Sequence, residues 1–203
     1  MTMTDLGTSP ASPSPDELST TYRASDVEQA LYARWQAAGT DVADANRVIG
    51  SGGARDPYTI VMPPPNVTAI LHVGHGLNNT VQDVLIRWRR MAGDEALWVP
   101  GTDHAGIATQ NVVEKQLAAE GSSKAAIGRD AFVQRTTRFV ETTGGEILQQ
   151  LKAIGASADW TRTAYTLSTP LSTAVTEAFV RLFDEGLVYR GDRKSTRLNS
   201  SHG

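Results

Sequence analysis

Two histidines three residues apart, His72 and His75, close the run PPPNVTAILHVGH, which spans Pro63 to His75. If a helix begins near Leu71, both imidazoles fall on one face of its first turn. Unpaired backbone N–H groups and the positive end of the helix dipole favour a phosphate there. Two imidazole donors beside that end can hydrogen-bond polyphosphate oxygens and follow them into a more charged transition state. Gly74, without a Cβ, would let a flat ring or a sugar approach the backbone. Asn66 can bond the nucleotide or only hold the turn. These types and spacings point to nucleotide chemistry at Asn66, His72, Gly74 and His75.

A second group, Asp103 and His104, follows about thirty residues later, and His/Asp clusters also suit zinc or iron. Against a metal, no Glu stands between His72 and His75 as it would in a metalloprotease helix, and strand, proline turn and helix succeed one another as in a phosphate cradle. No metal site is therefore expected. Asp103 fits two roles, an anchor for the α-ammonium of an amino acid or the N-cap of a helix from Ala105 to Leu117. Pro64 either narrows a side-chain pocket or merely ends a strand.

The elements that must position these residues read as an α/β chain. Tyr58 to Met62 has strand character and ends at the prolines. Leu77, Val81, Val84, Leu85, Trp88 and Met91 recur at helical spacing, with Asn78, Gln82 and Arg89 on the other side. Ala96 to Val99 is a short apolar strand stopped by Pro100 and Gly101. Strand, helix and strand within about forty residues make a parallel crossover, and ligands sit beyond the carboxyl ends of such strands. The proline turn and the Gly101–Gly106 loop leave those ends, so two loops distant in sequence face one pocket. Around this core, Ser25 with Glu28 reads as a capping box for a helix ended by Gly39, and Asp41 to Asp56 reads as loop. Further helices are expected over 107–119 and 129–153, with Gly144 and Gly145 marking a kink or a close contact. Asp159 and Trp160 are assigned to packing, a helix starts at Thr169 and Pro170, and Leu187 to Arg190 reads as a strand.

The stretch PPPNVTAILHVGHGLNNTVQDVLIRWRRMAGDEALWVPGTDHAGIATQ resembles the first nucleotide-binding signature of the class I aminoacyl-tRNA synthetases, and within them the valine-specific branch, whose string after the strand is GTDHAGIATQ. The similarity runs from about Val27 to Gly191. Ala69 stands where the family usually has Gly, and Gly76 where it usually has Ala; both stay small. The resemblance implies the first half of a Rossmann-like nucleotide-binding fold. It assigns Asp103 to the substrate amino group, Pro64 to the amino-acid pocket, and Asn66, His72, Gly74 and His75 to ATP, with the two histidines catalytic. ATP as substrate, Mg²⁺, valine and tRNA(Val) are the ligands and partners it implies for a full-length enzyme.

Length and composition agree with a packed α/β chain: 203 residues, 40% hydrophobic, with a net charge of −3 and no cysteine. There is thus no global basic field and no thiolate metal site. Arg87, Arg89 and Arg90 form either a local basic patch or a solvated helix face. No apolar run is long enough for a membrane helix and no leader pattern opens the chain, so a cytoplasmic enzyme is expected. Residues 1–24, rich in Pro, Ser and Thr, read as a flexible tail, and 25–191 as the N-terminal part of a catalytic domain. The final DRKSTRLNSSH resembles a translated sequencing adapter, so 192–203 is expected to be non-native and Lys194 is not read as the family's second, lysine-rich ATP signature. The chain alone is then expected not to turn over. Two other readings share the cradle: a smaller nucleotidyltransferase with the same His-x-Gly-His box, and a nucleotide-binding module without catalysis.

Overall fold

The computed structural model describes residues 21–191. The expected non-native stretch lies outside these residues, as does the expected tail apart from residues 21–24. The chain divides into two units after Ala38. In the first, helix α1 (Ala24–Ala37) starts two residues earlier than expected, with Arg23 rather than Ser25 as its N-cap and no side-chain cap bond. The Ser25–Glu28 capping box does not form. Ser25 lies inside the first turn and bonds Asp26, while Glu28 accepts from the Tyr22 hydroxyl.

In the second unit, the stretch read as loop contains a short helix, α2 (Ala45–Ile49), whose N-cap Asp44 accepts from Asn46 N at 2.9 Å. Strand β1 (Pro57–Val61), helix α3 (Val73–Ala92) and strand β2 (Glu95–Val99) follow. β1 and β2 pair in parallel from Pro57 opposite Glu95 to Val61 opposite Val99. Pro100 needs no N–H here, because only its carbonyl is used, by Ala164 N at 3.0 Å. Beyond it β3 (Gly101–Thr102) continues the run. Helices α4 (Gly106–Ala119) and α5 (Lys124–Ala153) come next, and then β4 (Ala164–Tyr165), which pairs in parallel with β3. One extended run, 95–103, is thus flanked by the β1 segment on one side and the β4 segment on the other. A Cβ at Gly101 would lie 2.8 Å from the Ala164 carbonyl oxygen, so β4 can approach this closely only over glycine.

The core gathers Met62, Val67, Ile86, Trp98, Ile147 and Leu151, and a second cluster joins Val113, Leu117 and Phe132 between α4 and α5. The break in α5 falls at Gly128 (φ 78°, ψ 168°), not at Gly144 or Gly145. Gly144 is buried toward Val67 and Thr102, but a Cβ there would lie 3.6 Å from Val67, an ordinary contact, so neither glycine is needed for a close approach. Helix α6 (Thr169–Asp184) carries Pro170 in its first turn, as expected. Leu187 to Arg190 is not a strand, for it finds no ladder partner among the described residues.

The face of α3 is inverted relative to its apolar pattern. Leu77, Val81, Val84, Trp88 and Met91 are all more than half exposed, whereas Asn79 and Ile86 are buried. The inward side is held by polar bonds: Trp98 Nε1 donates to Gln82, and Asp83 accepts from Ser157 N at 3.0 Å. The arginines form neither a basic patch nor a solvated face. Arg87 bonds Asp83 and the Gly155 carbonyl, Arg89 pairs with Asp94, and Arg90 bonds Ser157 and faces Asp41. Burial depresses the Arg90 pKa and raises that of Asp41, each partly offset by the other's charge.

Candidate active site

The proline turn and the loop after β3 meet through backbone hydrogen bonds. Asp103 N donates to the Pro65 carbonyl at 2.8 Å, Val67 N donates to the Asp103 carbonyl at 3.0 Å, and Asn66 bridges Asp103 in parallel register. Pro65 and Val67 are buried while Pro64 and Asn66 between and beside them are exposed. Alternation along the extended chain therefore turns Pro64 and Asn66 out of the core beside Asp103.

Helix α3 begins two residues later than expected. His72 is its N-cap rather than part of its first turn, and the two histidines form a reciprocal cap. Gly74 N donates to His72 Nδ1 at 3.1 Å, and His72 N donates to His75 Nδ1 at 3.3 Å. Each Nδ1 is an acceptor, so in the neutral rings each proton sits on Nε2. Both histidines thus keep an Nε2–H donor, and their rings lie 4.0 Å apart at 40°. Burial, and then the neighbouring His72, lower the pKa of His75 below its ordinary 6.5. A Cβ on Gly74 would lie 2.9 Å from His72 Cε1. The open side of this glycine is filled by the His72 imidazole, and the missing side chain first of all seats that ring. Gln150 of α5 fixes the approach to the helix by accepting from Leu71 N at 2.9 Å.

Asp103 is not a helix cap. The N-cap of α4 is Ala105, in the left-handed region (φ 44°, ψ 41°) with no side-chain cap bond. It is the one non-glycine residue with positive φ among those described. This strained corner is held from both sides, since Thr109, itself buried, donates its hydroxyl to the His104 carbonyl at 2.7 Å and its N–H to the Ala105 carbonyl. The Asp103 side chain keeps 33% of its surface exposed. Its Oδ1 accepts from the Thr166 hydroxyl at 2.8 Å, and the same hydroxyl oxygen lies 2.9 Å from His104 N and 2.6 Å from His104 Nδ1. Burial, and then the Asp103 charge, raise the pKa of Tyr165 beside it.

Thr166 and Gln150 were not legible as site residues, because each acts on a partner that only the fold brings near; Thr109 bonds only its own turn, but its role depends on the left-handed corner at Ala105, which the residue types there do not announce. A separate cavity of about 680 Å³ lies between α4, α5 and β4, lined by Thr102, Phe132, Val140, Tyr165 and Leu167 among others. None of Pro64, Asn66, His72, Gly74, His75 or Asp103 lines it. No cluster of three or more His, Cys, Asp or Glu among the described residues could hold a metal ion. No helix among them is long and apolar enough to cross a membrane.

The model of the family described as tRNA synthetases class I (I, L, M and V) matches residues 30–200. The chain is 55% identical over 172 residues to a valine--tRNA ligase of Syntrophotalea carbinolica, a match covering 85% of this chain and 18% of that protein. It is 51% identical over 177 residues to a valine--tRNA ligase of Geobacter sulfurreducens, covering 87% of this chain and 19% of that protein. The chain therefore spans about a fifth of the length of these curated relatives. The crystal structure of the Agrobacterium radiobacter K84 agnB2 LeuRS–tRNA–LeuAMS complex superposes with a TM-score of 0.68 at 19% identity, over 85% of this chain and 20% of that one, which shows a shared α/β fold. On the match of the family model over most of its length, the chain belongs to the class I tRNA synthetases.

Proposed function

We propose that this chain is the N-terminal part of the catalytic domain of a cytoplasmic valine--tRNA ligase, in which ATP activates valine and the aminoacyl group passes to tRNA(Val). The observation that carries the reading is the pair of imidazoles whose Nδ1 atoms are both tied to backbone N–H groups at the start of α3. Two Nε2–H donors at the positive end of the helix dipole are then available to an anion, an arrangement that favours a triphosphate and the charge that develops as pyrophosphate leaves. Asp103, clamped by Pro65 and Val67, offers its carboxylate to the valine ammonium, and Pro64 limits the side-chain space beside it. Asn66 and Gly74 complete the nucleotide side. Mg²⁺ would supply charge neutralisation on ATP; with no cluster of three or more His, Cys, Asp or Glu among the described residues, the reading has it arrive on the phosphates.

In this reading the chain holds one side of the site, and the 203 residues alone are expected to bind rather than turn over. The experiment is a titration of the ¹⁵N-labelled chain. ATP should move the ring resonances of His72 and His75, and valine those of the Asp103–His104 loop. If saturating ATP leaves both rings unmoved while other residues shift, the nucleotide site lies elsewhere and the reading fails.

A further inference from the structure

The hydroxyl of Thr166 has one proton and two lone pairs, and three groups crowd it: Asp103 Oδ1 at 2.8 Å, His104 N at 2.9 Å and His104 Nδ1 at 2.6 Å. The proton has two places to go. Given to the carboxylate, it makes a charge-assisted bond, and the hydroxyl oxygen then accepts from His104 N–H and from an Nδ1–H. Given to His104 Nδ1 instead, it would leave the hydroxyl oxygen and Asp103 Oδ1, two acceptors with no proton between them, facing each other at 2.8 Å. The first arrangement satisfies all four groups. It places the His104 proton on Nδ1 and leaves Nε2 with a free lone pair, the reverse of His72 and His75, whose Nδ1 atoms accept. The ring stays reachable, since the His104 side chain is 38% exposed, with its Nε2 beside Gly106 and its face edge-on to Tyr165.

We propose that Thr166 is a positioning residue that locks Asp103 and His104 into a paired acceptor for a primary ammonium group, the carboxylate supplying charge and the His104 Nε2 a second hydrogen-bond acceptor. This rests on the reading of Asp103 as the amino-group anchor and adds to it a tautomer and the residue that sets it. The three histidines of the site then divide by chemistry. His72 and His75 donate toward phosphate, whereas His104 accepts from an amine. A protonated amine carries three N–H donors, so one carboxylate leaves donors over for a neutral imidazole to take.

Long-range ¹H–¹⁵N spectra of the histidine-labelled 203-residue chain at about pH 8, where imidazoles are neutral, read the tautomers directly. The expected result is Nδ1–H for His104 and Nε2–H for His72 and His75. Thr166→Val should abolish the preference at His104, and Thr166→Ser should keep it. An Nε2–H signal for wild-type His104, or a signal indifferent to Thr166→Val, overturns the proposal. The same samples titrated with valine and with its desamino analogue 3-methylbutanoate separate the two layers. A His104 shift with valine alone, weakened about tenfold by Thr166→Val and restored by Thr166→Ser, supports the pair; equal valine affinity in wild type and Thr166→Val overturns it. If the tautomer and its dependence on Thr166 are as stated but valine moves nothing, the positioning by Thr166 stands and it is the anchoring role of Asp103 that fails.

Discussion

His75 couples a proton to the state of the helix end. Burial and the adjacent His72 hold its pKa below 6.5, so the folded chain prefers the neutral ring whose Nδ1 accepts from His72 N. A depressed histidine pKa means that the unfolded chain binds more protons in the window below 6.5. The contribution of His75 to stability is therefore complete above that pH and is lost as the pH falls through its folded value. Titration of the His75 ring by NMR should give a midpoint below that of a free histidine, and His72→Ala should raise it by removing the neighbouring charge. A midpoint at or above 6.5 would show that the cap is open. Gly74→Ala tests the same cap sterically. A Cβ would collide with the His72 ring, so we expect the ring to leave its place, a loss of about 1 kcal/mol in urea unfolding, and ATP binding weakened more than valine binding. These residues were legible in the sequence because their relation is local: His72, Gly74 and His75 fall within four consecutive positions. The cap itself was not, because whether His72 falls before or inside the first turn depends on where the chain leaves the proline turn. Thr166 was still less so, since nothing in the chain order ties it to a carboxylate 63 positions away.

At the level of elements, period and orientation separate. The apolar repeat from Leu77 to Met91 announced helix α3 correctly, yet the side it marks is the exposed one. The inward side is read through Ile86 and through polar groups that find partners on other elements, Gln82 on Trp98 and Asp83 on Ser157. A hydrophobic stripe identifies a face that can be buried but not the partner that buries it, and binary pattern alone could not anticipate a polar seat on the sheet. Two substitutions distinguish the faces. Ile86→Ala should cost about 3 kcal/mol, because a fully buried side chain leaves a cavity, while Leu77→Ala should cost well under about 1 kcal/mol in this chain. Comparable shifts of the urea midpoint for the two would restore the apolar stripe as the buried face. Asp159 shows the complementary case. The sequence assigns it to packing, and it is fully buried, but as a hub that accepts from Ala43 N, Thr161 N, the Thr161 hydroxyl and Arg162 Nε. Asp159→Ala strands those donors, and we expect a loss of about 3 kcal/mol by chemical denaturation. A near-neutral result would mean that water replaces the carboxylate.

For the whole molecule, the question is what the exposed apolar surface does in water. Leu77, Val81, Val84 and Trp88 make a continuous stripe along α3, and Val175, Phe179 and Phe183 a second one along α6, each of these side chains more than half exposed. Monomeric proteins seldom leave such contiguous surface open. Strand β1 adds to it, for its only ladder neighbour among the described residues is β2, which leaves one edge with unpaired backbone groups. The burial of apolar surface scales with its area whichever molecule supplies the cover, so in the absence of another cover a second copy of the chain can provide it. We therefore expect the 203-residue chain to associate with itself in sedimentation velocity, its weight-average coefficient rising with concentration. Val81→Lys together with Val84→Glu should suppress that rise and leave the urea midpoint nearly unchanged, because both positions face solvent in the single chain. If the double variant unfolds at markedly lower urea, those side chains are buried in the isolated chain and the orientation of α3 is wrong. If wild type and variant sediment alike at every concentration, the stripe is not the surface through which copies meet, and the β1 edge becomes the place to substitute next.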